Sequence, residues 1–126
     1  MNIEEIKILR MKTGENIVGY VTDIDDMKFH IRTPMLIDIQ TDNQTMKQMF
    51  VIRSWLPHQL IISNETTLWM NDVLFTLEPN EEFIEYYTES VYKLERLLAM
   101  KEIMDYLESE DDITEAMNEL KSSQVH

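Results

Sequence analysis

Few side chains in this sequence are arranged for covalent chemistry. The histidines, His30, His58 and His126, are widely scattered, and no His-x-x-x-His or His-Glu pair suggests a zinc site. No glycine-rich loop suggests a cradle for a nucleotide phosphate. Cysteine is absent, which removes thiolate ligands, disulfides and a cysteine nucleophile together. Asp23, Asp25 and Asp26 open like a calcium loop but lack the later Gly and Glu that such a loop requires, so a turn is the better reading. Glu110-Asp111-Asp112 reads as a helix start or a solvated linker. No enzyme, no cofactor and no metal are therefore expected, and any function should rest on non-covalent recognition.

The composition sets what can carry such recognition. At 126 residues, 44% hydrophobic and 28% charged, the chain suits one folded domain with an appendage. The N-terminal residues carry Glu4 and Glu5 and no apolar block, and later apolar runs are short, so neither a signal peptide nor a membrane span is expected. A cytoplasmic location follows as the default. The net charge of -13 is unevenly spread: residues 1–80 hold 11 acids against 7 Lys and Arg, whereas residues 81–126 hold 13 against 4. Acidity repels phosphate, which binds through Lys and Arg and the counterions they release. Its concentration in the tail leaves room for a less acidic binding face earlier in the chain.

Short β-rich runs fill residues 6–77. Ile6 to Thr13 alternates, Thr13-Gly14-Glu15-Asn16 is a turn cluster, and Ile17 to Ile24 continues the β pattern, predicting a hairpin. Asp25-Asp26 leads into Phe29 to Ile39, where Thr33-Pro34 removes a ladder donor and predicts an edge or a bulge, hence a bend. A polar turn at 41–45 precedes Met49 to Leu56, Pro57-His58 separates Leu60 to Ile62, and Leu68 to Leu77 closes the series. Five or six short strands in so little chain favour a small barrel over a sandwich. Beyond Glu78-Pro79-Asn80 the period changes: Phe83, Tyr87, Val91, Leu94 and Leu98 lie on one helical face. A helix over about 81–108 is predicted, with a break at Ser109 to Asp112 and a short helix over about 112–121 traced by Ile113, Ala116, Met117 and Leu120.

The chain has only two glycines, Gly14 and Gly19, and both fall in the first hairpin. Gly14 suits a turn, while Gly19 sits in mid-strand, where it weakens packing unless a sharp bend or close approach requires it. Met11-Lys12-Thr13-Gly14-Glu15-Asn16-Ile17-Val18-Gly19-Tyr20-Val21-Thr22-Asp23-Ile24-Asp25 resembles the first motif of the Sm/LSm superfamily, which includes bacterial Hfq. The family then usually has an aromatic or His followed by Met-Asn, where this chain reads Asp26-Met27-Lys28-Phe29-His30. Leu68-Trp69-Met70-Asn71-Asp72-Val73-Leu74-Phe75 fits the second motif in pattern but lacks its Arg-Gly. Through Trp55-Leu56-Pro57, Asn71 to Pro79 and Glu81 to Tyr87, the whole chain also looks like the small Sm-like proteins of T4-type cyanophages.

The resemblance implies a mainly β fold: a strongly bent five-stranded Sm-like barrel over residues 1–79, followed by an acidic helical extension over 80–126. It also implies a cyclic homo-oligomer joined through strand edges, which would hide edges that otherwise aggregate. Single-stranded RNA, or DNA, is the implied partner, in the host cytoplasm if the protein is phage-encoded. Asp25 matches the first-motif Asp, Lys28 and His30 occupy or adjoin the base-contact loop, Asn71 and Asp72 match the second-motif loop, and Arg53 is a displaced candidate for the phosphate-side Arg. Each has a plainer alternative: a turn cap for Asp25, a solvated lysine for Lys28, a solvent-facing imidazole for His30, an ion pair for Arg53. Trp55 and Trp69 are large enough to stack on bases, against a core or interface role. The competing class is a protein-interaction ring that binds no nucleic acid.

Overall fold

A computed structural model describes the backbone of residues 3–122 and the side chains of residues 3–108. His126 and the side chains of the expected second helix lie outside the described residues. The strands are β1 (Glu5–Met11), β2 (Asn16–Asp23), β3 (Lys28–Thr41), β4 (Gln48–Ser54), β5 (Glu65–Trp69) and β6 (Val73–Leu77), followed by a helix, α1 (Glu81–Ser122).

The first hairpin forms where the glycines placed it. Gly14 takes φ 94°, and its N–H donates to the Met11 carbonyl at 2.9 Å. Such a conformation costs a residue with a Cβ about 1–2 kcal/mol. Gly19 answers a different need, because a Cβ there would lie 2.5 Å from Ile31 Cγ1 and 2.7 Å from Cδ1. Its lack of a side chain lets β2 lie tight against the buried Ile31 at the point where the β2–β3 register shifts, between Val18 and Tyr20.

That shift is the bend anticipated at Thr33-Pro34, and it is a bulge within a strand paired on both sides. Thr33 has φ 51° and is buried. Its N–H reaches the Asn64 carbonyl at 2.7 Å, and the Pro34 carbonyl accepts from Trp55 N–H at 3.2 Å. The extra residue exchanges the faces of β3: Phe29 and Ile31 precede it on the same side that Leu36 occupies after it. One face of the sheet thus carries a core of Leu9, Met11, Ile17, Phe29 and Ile31, with Trp55, Leu68, Met70 and Val73 packed against it. On the opposite face Val18 and its cross-strand neighbour Met35 are buried.

All neighbouring strands are antiparallel, in the order β4-β3-β2-β1-β6, with β5 also paired to β3. The fold is mainly β as expected, but the described residues form six strands in a sheet that is not closed into the anticipated five-stranded barrel. The count rises because β4 pairs with Met35 to Thr41 and β5 with Lys28 to Arg32, so that the two share one edge of β3 end to end. Residues 55–64, including Pro57 and a 3-10 turn at His58–Leu60, interrupt what would otherwise be one edge strand.

The helix begins at Glu81, where the period changes, and Asn80 caps it: Asn80 Oδ1 accepts from Phe83 N–H at 2.8 Å. Its first turns join the sheet through Tyr87, whose buried hydroxyl donates to the Thr33 carbonyl at 2.7 Å, and through the rings of Phe50 and Phe83, 5.4 Å apart. The expected break at 109–112 is absent, and α1 runs as one helix to Ser122. Ser, Glu and Asp cost only a few tenths of a kcal/mol each in a helix, and no Gly or Pro is there to stop it. Two compact units divide the chain, Met1–Glu89 and Ser90–His126. In the second, Leu97, Met100, Met104 and Leu107 form an exposed apolar stripe.

Candidate nucleic-acid interface

The β2–β3 turn is built on Asp25. Its Oδ1 accepts from the N–H groups of both Met27 and Lys28 at 2.8 Å, the self-capping geometry of an Asx turn. The Met27 carbonyl in turn accepts from Met70 N–H at 2.8 Å, which fastens this turn to the 3-10 turn Met70–Asp72. The Asp72 carbonyl accepts from Lys12 N–H at 2.9 Å, tying in the β1–β2 turn as well. Three connections therefore meet at one end of the sheet, bringing Asp25 and Lys28 beside the exposed Asn71 and Asp72.

Pairing of β3 with β5 sets the side chains of this end. Lys28 lies opposite Trp69, His30 opposite Thr67 and Arg32 opposite Glu65, so Lys28, His30 and Arg32 share one face at strand period. Lys28 Nζ stands 4.6 Å from the centroid of the Trp69 ring, within cation–π range, and Trp69 is 48% exposed. His30 Nε2 is 3.4 Å from Glu65 Oε1. Arg32 grips Glu4 through two bonds, Nε to Oε2 at 3.1 Å and Nη2 to Oε1 at 2.8 Å, with its Cζ 4.2 Å from the Tyr20 ring. The hydrogen bond from Arg32 holds the Glu4 carboxyl below the usual carboxylate range, and the same bond raises the Arg32 guanidinium. Along this face the charge of Lys28 alone has no carboxylate partner among the described residues.

Arg53 stands apart. It lies on β4 opposite Leu36, and its Nη2 is 4.0 Å from Asp38 Oδ2 with both side chains exposed. Exposed pairs of this kind contribute little. Trp55 is half-buried, its Nε1–H donating to Glu15 Oε2 at 3.0 Å, whereas Trp69 faces outward. Arg32 and Glu4 were not singled out in the sequence, although the alternation Lys28-x-His30-x-Arg32 carried the signal.

Among the described residues no group of three or more His, Asp or Glu is placed to hold a metal, and no helix is long and apolar enough to cross a membrane. No family model and no curated protein matches this chain.

Proposed function

We propose that this chain is a non-enzymatic Sm-like protein that binds single-stranded nucleic acid, RNA being the favoured strand, as a cyclic homo-oligomer. The observation that carries the reading is Lys28 over the half-exposed ring of Trp69, beside the turn built on Asp25 and the 3-10 turn of Asn71 and Asp72. A flat aromatic surface with a cation at its face is the pairing that single strands use, bases stacking while the cation meets phosphate. The strand order supports the architecture. With β4 and β5 taken as one interrupted strand, five strand positions run from that edge to β6. Both end strands carry exposed apolar side chains outside any groove lining, Val51 on β4 and Leu74 on β6. Edge pairing between copies would cover them.

A second reading, a protein-interaction ring without nucleic acid, draws on the pairing of Arg32 with Glu4 and of His30 with Glu65, which leaves the face little free positive charge. Fluorescence anisotropy of labelled oligo(U) and oligo(A) with the full chain at low salt separates the two. Saturable binding that weakens as salt rises is expected. Absence of binding to either strand, with light scattering still reporting an oligomer, would favour the second reading. A monomer by light scattering would remove the ring from both.

A further inference from the structure

We infer that the sheet face opposite the core holds a binding groove for a small amphipathic carboxylate, with Arg10 as its anion contact. The groove encloses about 290 Å³ and is lined by apolar side chains of four strands and the first helical turn, among them Ile8, Ile37, Ile39, Phe50, Leu77 and Phe83. Arg10 lies in the same lining, with Asn16 and Gln48 as the other polar members. It is half-buried, and in a chain of net charge -13 it has no carboxylate partner among the described residues. A cation drawn partly out of water without a counter-charge is costly unless something anionic meets it.

The contacts that Arg10 does make orient it. Its Nε donates to Asn16 Oδ1 at 2.6 Å, and its Cζ lies 5.7 Å from the Phe75 ring centroid. With Nε committed, the terminal nitrogens remain for a ligand, and a carboxylate offers two oxygens that suit a guanidinium edge. Among the described residues no second cation lines the groove. A phosphate dianion would therefore keep one charge uncompensated, whereas a single carboxylate is matched. The remaining wall is aliphatic and aromatic, so the rest of the ligand is an apolar chain or ring, held by burial.

Titration of the full chain with octanoate, followed by NMR shifts, tests this, with octylammonium, octanol and uridine monophosphate as comparison probes. Saturable binding of octanoate in preference to all three is expected. Arg10→Gln should weaken it about tenfold, the scale of a lost charge-assisted hydrogen bond. Ile39→Trp, at a position already 53% exposed on the rim, should fill the groove and abolish binding without unfolding the chain. Should Arg10→Gln fail to fold, Ile39→Trp decides alone. No octanoate binding, equal binding of octylammonium or octanol, tighter binding of uridine monophosphate at the same residues, or octanoate affinity untouched in a folded variant would each overturn the inference.

Discussion

Gly14 and Gly19 show how one residue type serves two physical purposes within a single hairpin. Gly14 is needed for its φ of 94° and has open space around it, whereas Gly19 is needed because Ile31 and the Arg32 carbonyl occupy the space of a Cβ. Gly19→Ala should therefore destabilise the fold by about 1–3 kcal/mol, the usual scale of overpacking, read as a lower urea midpoint. An unchanged midpoint would mean that the close approach to Ile31 is relieved at no cost. Spacing alone located both glycines, but it could not say which side chain Gly19 makes room for, since that neighbour comes from another strand. The Glu4–Arg32 pair was less visible for the same reason. Glu4 titrates below its ordinary 4.5 when folded, chiefly through the Arg32 hydrogen bond, so its contribution is complete above that value and is lost as pH falls below it. Both side chains are more than one-third exposed, which limits the effect to about 0.2–1 kcal/mol. Glu4→Gln should flatten the decline of stability below pH 4.5, as followed by thermal melts; an unaltered slope would show that the pair contributes nothing measurable.

At the scale of elements, the bulge in β3 organises the sheet. Thr33-Pro34 was legible as a bend because proline cannot donate to a ladder, and the bulge exchanges the faces of β3 and turns the Thr33 carbonyl toward the Tyr87 hydroxyl. Tyr87→Phe would leave that buried carbonyl without its donor, and a loss of about 1–3 kcal/mol is expected in denaturant titration. A smaller loss would indicate that the helix start is held by its rings alone. The interruption between β4 and β5 was less legible, because Met49 to Leu56 and Leu60 to Ile62 read as separate apolar runs whose shared neighbour, β3, is set only by long-range pairing. The expected helix break failed for a local reason: an acidic run without Gly or Pro weakens a helix but does not end it. The helix start near residue 81 was readable from the change of period, and the Asn80 cap on Phe83 N–H that fixes it is a contact between neighbours in sequence.

Over the whole molecule, charge and exposed apolar surface point to different kinds of partner. The acidic tail opposes a polyanion at long range, so any nucleic-acid affinity must come from a local site and should fall with salt. The candidate residues were read from motif positions; pairing between β3 and β5 unites Lys28 with Trp69 and separates both from Arg53, a division that strand register decides and linear spacing does not. The most direct test of the proposed function is therefore the affinity of the intact chain for labelled oligo(U) at low salt, compared with Trp69→Ala. Saturable binding that weakens by about 1–3 kcal/mol on removal of the ring, the scale of one stacked base, is expected. No binding by the unaltered chain, or equal affinity with and without the Trp69 ring, would contradict it.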